Sequence, residues 1–509
     1  MLSSSVPENL RLLKNWTTRL FRSLKRYPYR TAAVSHAVLF FAFSFPQFSL
    51  CSSANSTELE IRLRTRITSF ASKPGDRFES VVLSPWVVND HVVIPQGSIV
   101  RGHVECVSSV GLGLRHERAK MQLVFDYFVT ADGQTFPLAA KLASIDNARE
   151  EVTPGGTIRG VIAARQPNAL IFGVWHFPSM SLFSRSLIGL TGISHQIWSA
   201  SSTGPIGAGG MLALRLIFFR FPEPEIHFNP GTDMRLAVNA ARQQGVAEIP
   251  SVPLAASPEV VDWLLKEPFA VDREDSRPVG DIVNVAFLGS REQLIHSFAA
   301  AGWVAAEAKS RKTLKQLYYS FNSMRAYATA PVSALFYKGL PPEVVFEKSL
   351  NTITKRHHVR VWYAGMADGK ELWLGAATHD TGIAFNPRSF SFTHKIAPNI
   401  DEERDKITTD LRFAGCLEPE MRVERTAAAS NGLTHIGITD GAAAVLPLTD
   451  CQISGLPAGP DPKPGNTTSR LVRRMILESR NHMLRENPYY WTYQFVRYKR
   501  NRPNQPESN

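Results

Sequence analysis

Arg356, His357, His358, Arg360, Trp362, Trp373, His379, Asp380, His394, Asp401, Glu403, Arg404 and Asp405 fall within a span of fifty residues, which holds four of the fourteen histidines of the 509-residue chain. Imidazoles, carboxylates and guanidiniums together are the residue types of acid–base catalysis, phosphate binding and metal ligation. Three chemistries fit this set. In metal-assisted hydrolysis His358, His379, Asp380 and His394 supply ligands or catalytic groups around a divalent metal, with Asp401 or Glu403 as general base. In metal-free phosphoryl or phosphodiester chemistry the histidines act as nucleophile or acid while Arg356, Arg360 and Arg404 hold an anion. In pure binding, Arg360, Arg404 and Trp362 grip a phosphate or sugar without turnover. A fourth reading is plain packing, with Asp401 capping a helix and Glu403 and Arg404 paired on it. No H-E-x-x-H spacing selects the metal reading. A nucleophile elbow of the G-x-S-x-G type is absent, and the glycines between 204 and 210 lack the Lys-Ser/Thr of a phosphate-binding loop.

Short strands must position these groups. Residues 359–363 and 372–378 carry strand-type runs. Side chains alternate across a strand, so His358, Arg360 and Trp362 share one face and His357, Val359 and Val361 the other. The valines point to a core, so His357 is expected in the packing and His358 and Arg360 outward or in a cleft. His379 and Asp380 are expected at the end of the second strand, where loops place functional groups. Asp401–Ala414 reads as a helix with acidic residues in its first turn, as its dipole favours.

At 509 residues the chain exceeds one ordinary core. Residues 57–240 read as a β-barrel or sandwich. Leu59, Ile61 and Leu63 alternate with Arg62 and Arg64, and turn residues such as Pro95-Gln96-Gly97 and Asp132-Gly133 separate further short strands. An apolar insertion at 168–220 is read either as a hairpin dipping into a membrane or as a buried insertion. Residues 241–280 resemble a proline-bearing linker with one short helical pattern at 260–265. Residues 281–449 mix strands and helices without strict alternation, which favours α+β. Ser290 is the expected N-cap of a helix there, and Pro341-Pro342 is expected to open another, with Val345, Leu350 and Ile353 facing a core.

Residues 1–54 join a basic stretch to the uncharged run 31–50, the layout of a secretory signal or a retained anchor. Either alternative exports the rest of the chain, to the periplasm or to the outer side of the inner membrane. The tail, 450–509, reads as a basic partly helical segment that meets an anionic membrane surface or packs on the protein, followed by disorder. A net charge of +12 favours an anionic envelope component as partner. Nucleic acid is not expected, because the excess charge gathers at the two ends and no zinc-finger or RNP-type motif occurs. Cys416 and Cys451 form a disulfide in an oxidising compartment or remain two buried thiols.

Two resemblances sharpen this outline. Ile94-Pro95-Gln96-Gly97-Ser98-Ile99-Val100-Arg101-Gly102 and the strand ending near Asp132-Gly133 make 57–145 resemble the β-barrel of TrbI-type conjugation and secretion channel proteins. That resemblance implies an envelope location. Asn284–Gly289 with Arg291-Glu292, Gly302-Trp303, the HH-x-R-x-W run from His357, Leu372–Asp380, Thr393-His394 and Asp401–Asp405 make 281–449 resemble the LssY C-terminal domain family. Its members are typically attached to bacterial membrane proteins, some with phosphatase-type domains, and the resemblance implies no particular reaction. Together the two imply a bacterial envelope protein. Its expected role is hydrolysis of a phosphorylated envelope substrate or, alternatively, non-catalytic binding or structure in an envelope or secretion assembly.

Overall fold

The computed structural model describes residues 58–88, 91–112, 117–162, 204, 206, 224–246, 255–273, 280–308, 310–322, 325–333, 335–386, 391–425, 437–451, 472–477, 480, 493 and 496. The signal or anchor, most of the insertion at 168–220 and most of the basic tail lie outside the described residues.

The amino-terminal half contains β1 (Glu58–Leu63), β2 (Ile67–Thr68), β3 (Arg77–Val82), β4 (Trp86–Val88), β5 (His91–Ile94), β6 (Ile99–Ser108), β7 (Lys120–Val129), β8 (Thr135–Pro137), β9 (Ala140–Ile145), β10 (Glu151–Val152), β11 (Ile158–Arg159), β12 (His227–Phe228) and β13 (Asp233–Val238). Nine of these form one antiparallel sheet, ordered β10-β11-β7-β6-β3-β1-β13-β9 with β8 beside β7. Its end strands β9 and β10 lie against each other, so the sheet is a nearly closed barrel. Closure is the physical answer to exposed strand edges. Period two governs the strands: Leu59, Ile61 and Leu63 enter the core beside Phe78, Val100, Phe125 and Leu236. Gly102 is required where β6 passes Phe78, because a Cβ there would sit 2.2 Å from the Val124 carbonyl oxygen.

The second half contains α1 (Pro258–Lys266), β14 (Asp272–Arg273), β15 (Val285–Leu288), α2 (Arg291–Ala300), β16 (Val304–Ala305), α3 (Arg311–Asn322), β17 (Leu335–Phe336), β18 (Val344–Lys348), β19 (Arg356–Ala367), β20 (Lys370–Asn386), β21 (Ser391–Ile396), α4 (Asp401–Phe413), β22 (Met421–Glu424) and β23 (Ala442–Pro447). An eight-stranded mixed sheet runs β16-β18-β19-β20-β15-β23-β22, with β21 on β20 and a parallel β15–β23 pair. The α+β expectation holds. Ser290 caps α2 in a capping box with Gln293.

Several details differ from the sequence expectation. The segment after Pro341-Pro342 is strand β18, not a helix, because Val344, Val345 and Phe346 pair between β16 and β19. The short helical pattern expected at 260–265 within the linker-like stretch is α1, but its Val260 and Leu264 enter the core with Trp362 and Leu374, so the packing of this half begins before residue 281. Of the tail, Leu477 is buried in the barrel core and Arg473 pairs with Glu225 at 2.8 Å. Cys416 and Cys451 are joined in a disulfide. Among the described residues no helix is long and apolar enough to cross a membrane.

Candidate functional site

The β19–β20 pair sets the site. Its register places Arg356 opposite Asp380, His357 opposite His379 and His358 opposite Thr378. Alternation sends Arg356, His358, Arg360 and Trp362 to one face with Thr378 and Asp380, and His357 to the other face with His379. The four expected metal or catalytic residues are therefore divided: His358, Asp380 and His394 gather on one face, and His379 stands on the other.

On the first face Asp380 is the hub. Its Oδ2 accepts from Arg356 Nη2 at 3.2 Å and lies 3.1 Å from His394 Nδ1 and 3.8 Å from His358 Nδ1. Arg356 also donates to Glu347 at 3.0 Å. His358 meets the Thr378 hydroxyl at 2.8 Å. Burial pushes Asp380 up to about 6 against the pull of Arg356 and Arg360, and pushes Glu347 up to about 8. Burial, then Arg356 and Arg360, bring His394 down to about 4. Burial likewise holds His358 well below the usual imidazole range, so both rings are neutral near pH 7. His358 and Arg360, expected outward or in a cleft, are both buried, Arg360 against Asp281 and Ser333 and His358 against Thr378.

The three expected ligand-binding residues are already engaged by the chain itself. Arg360 Nη1 donates to Asp281 at 2.7 Å and its other nitrogens to Ser333. Trp362 Nε1 donates to the Leu340 carbonyl at 3.1 Å. Arg404 Nη1 donates to Asp440 at 2.7 Å and to the Ala442 carbonyl at 2.8 Å, and Nε to Asp405 at 3.0 Å. Asp401 does not cap α4, whose N-cap is Ile400; its carboxylate accepts instead from Thr439 and the Asp440 amide. His379 and Asp380 sit inside the seventeen-residue β20 rather than at its end.

The second face meets the barrel. The loop after β9 carries Asp146, and Asn147 there adopts a left-handed φ of 51°, a conformation asparagine tolerates well. Asn147 Nδ2 donates to the Lys348 carbonyl at 3.1 Å, and the Arg149 amide donates to Asn351 at 3.1 Å. His357 donates Nε2–H to Asp146 at 2.7 Å and Nδ1–H to Glu403 of α4 at 2.6 Å. Burial alone would strip that ring's proton, but Asp146 and Glu403 outweigh it and hold the pKa up to about 10. His379 stacks on His357 with ring centroids 4.3 Å apart. Burial, then the His357 charge, drives it down to about 3. Glu403 thus pairs with His357 and not with Arg404.

Beside this contact lies a buried charge cluster that no local spacing announces. Asp410 of α4 accepts from Arg62 of β1 at 2.7 Å, Lys406 at 2.7 Å, Lys348 at 2.8 Å and Trp303 at 2.9 Å. Asp233 of β13 accepts from Arg62 at 2.7 Å and Lys406 at 2.6 Å. Burial opposes ionisation of both carboxylates, yet the surrounding cations hold them below the usual carboxylate range. Asp146, Asp233, Arg62 and Asp410 escaped sequence reasoning because the contacts that join the two halves, His357–Asp146, Arg62–Asp410 and Lys406–Asp233, span 211, 348 and 173 positions. The one local signal was the run of charged residues in α4, which is buried instead of solvated.

Barrel and α+β half thus meet through ion pairs around β19, β20 and α4. The α+β half is an LssY C-terminal domain: residues 268–442 match the family model described as LssY C-terminus. The match begins near the end of α1, in keeping with where the packing of this half starts. A comparison with curated proteins finds no match. Among solved structures, ComB10 of the Com type IV secretion system of Helicobacter pylori is similar at 14% identity and a TM-score of 0.19, over 38% of this chain and 95% of that chain.

Proposed function

We propose that this protein is a non-catalytic structural component of the bacterial envelope, in which the LssY C-terminal domain is fixed on a β-barrel and the assembly binds an anionic envelope component. The observation that carries this reading is the saturation of Arg360, Arg404 and Trp362 by groups of the chain itself. A site that grips phosphate keeps donors free for it; these donors are spent. The shallow grooves near Ser290 and near Lys141 share no residue with the cluster. An extracytoplasmic location, periplasmic or membrane-anchored, is supported by the Cys416–Cys451 disulfide and by the basic-then-apolar layout of residues 1–54. The net charge of +12 supports the anionic partner.

A second reading, hydrolysis of a phosphorylated envelope substrate, keeps one observation in its favour. The His394 side chain is 41% exposed with Nδ1 held by Asp380, and a neutral imidazole oriented by a carboxylate can act as a general base. One experiment separates the two. The purified full chain is assayed with a phosphomonoester and a phosphodiester chromogen, with and without added Mg²⁺, Mn²⁺ or Zn²⁺. The structural reading expects no turnover above buffer. Turnover that disappears in His394→Ala overturns it. Thiol alkylation of the protein from cells, before and after reduction, reports whether the disulfide forms where the protein resides.

A further inference from the structure

We propose that Asp146, His357 and His379 form a binding site for a first-row divalent metal ion of the zinc class, clipping the barrel to the LssY C-terminal domain. One ligand atom from each lies within 4.8 Å of the others. His357 Nε2 is 2.7 Å from Asp146 Oδ2 and His379 Nε2 is 4.0 Å from the other oxygen, Oδ1. Tetrahedral zinc with N and O ligands near 2 Å wants donor separations of about 3.3 Å. The His357–Asp146 contact must open slightly, and the wider separations, all within 4.8 Å, must draw in by up to about 1.5 Å. Two imidazoles and a carboxylate are a borderline donor set that suits zinc and its neighbours better than calcium or magnesium.

Two independent features point to a ligand here. The first is His379 Nε2, a buried nitrogen with no hydrogen-bond partner among the described residues, which lies toward the Asp146 carboxylate. A buried polar atom left unpaired is costly, and a metal would satisfy it. The second is Glu403, which accepts from His357 Nδ1 at 2.6 Å. A carboxylate on the far nitrogen is how proteins orient a metal-binding imidazole and raise its basicity. It aims Nε2 at Asp146. In the metal-free arrangement a proton bridges His357 and Asp146; the ion takes its place and the proton leaves to solvent. The three ligands come from the loop after β9, from β19 and from β20, so the ion would tie two halves of the molecule that are otherwise joined without a covalent bond at this point. The site does not depend on whether the protein is catalytic, and it differs from a metal centred on Asp380.

Cobalt titration of the full-length protein tests the site. Wild type should show visible d–d absorption saturating at one Co²⁺ per chain, displaced by Zn²⁺, with proton release and a raised melting temperature. His379→Ala and Asp146→Asn should abolish the absorption while retaining cooperative unfolding. Glu403→Gln should weaken affinity about 10- to 100-fold, as loss of an orienting partner does. His103→Ala, an exposed barrel histidine paired with Asp126, should bind as wild type does. The proposal is overturned if wild type gives no such absorption, or if His379→Ala binds cobalt with unchanged affinity. It is equally overturned if His394→Ala removes the metal and His379→Ala does not, which would place the ion on the Asp380 face. If His379→Ala unfolds, Asp146→Asn decides alone, because amide for carboxylate conserves volume.

Discussion

The two faces of the β19–β20 pair use the same residue types for different ends. On one face the partners that Arg356, His358 and Arg360 do find, Glu347, Thr378, Asp281 and Ser333, all lie inside the LssY C-terminal domain, while Arg356 Nε and His358 Nδ1 have no hydrogen-bond partner among the described residues. On the other, His357 finds a charge partner in Asp146, across the boundary with the barrel, and the neutral His379 stacks on it. The first arrangement makes a domain; the second makes a joint. Buried ion pairs contribute little net stability against an apolar alternative, but losing one partner strands the other charge, so such a joint fixes one orientation strongly.

The severest way to break the joint is at Asp410, which four donors from both halves surround. Asp410→Ala should cost about 3–5 kcal/mol, the usual effect of stranding a buried charge. Denaturant unfolding measures it. A cost below about 1 kcal/mol would mean that the interface is held by its apolar contacts and that the charges are incidental.

Next in size is the disulfide, which closes a segment of sequence separation 35 beside the α2 face of the sheet. Cys416→Ser should lower stability by about 2–4 kcal/mol and leave the joint untouched. Reduction of wild type should match it. If the variant also weakened barrel–domain contact, seen as hydrogen exchange at Asp146–Arg149, the two regions would be coupled more closely than their separate hydrogen bonds imply.

How much of this was legible from sequence obeys the same division. The barrel strands were readable because Leu59, Ile61 and Leu63 alternate, and the α2 start because Ser290 is an N-cap residue type, to which the structure adds a capping box with Gln293. Even the split of the site was implicit in strand period: placing His358 with Arg360, opposite His357, already separates His358 from His379 once the two strands pair in register. What escaped was reach. His357 and Asp146 are 211 positions apart, and no spacing rule joins them. Exposure misled as well, since His358 and Arg360 lie on a polar-looking face yet are buried, Arg360 against Asp281 and Ser333. The Pro341-Pro342 pair suggested a helix start, and tertiary pairing of Val344–Lys348 overrode it.

Smaller per pH unit is the titration of the joint. His357 has its folded pKa raised from 6.5 to about 10. Its stabilisation is therefore fully present below pH 6.5 and lost as pH rises through 10, at roughly 1.4 kcal/mol per pH unit in between. His379 is lowered from 6.5 to about 3, so acidification below 6.5 costs stability as the unfolded ring takes up a proton first. Asp146 has a depressed pKa, and its contribution is lost as pH falls below about 3.8. The His357 and His379 contributions by themselves give a melting temperature that falls on both sides of about pH 6.5. His357→Gln should flatten the alkaline limb and lower the maximum. An unchanged alkaline limb would show that the bridging proton is not where the geometry puts it.

The least effect is expected at His394, and it tests the other face. Its ring is 41% exposed, and Asp380 retains Arg356 at 3.2 Å when the imidazole is removed. Burial already places Asp380 at about 6, so the carboxyl can take a proton in place of the lost partner. His394→Ala should therefore cost about 1 kcal/mol or less, the net worth of one part-exposed hydrogen bond. It should leave the melting profile above pH 6.5 as in wild type, because His357 governs that limb. If the variant kept full stability yet lost a measurable phosphoester turnover, the Asp380 face would be a reactive centre. The contrast between a face that builds the domain and a face that joins it would then have to be redrawn around His394.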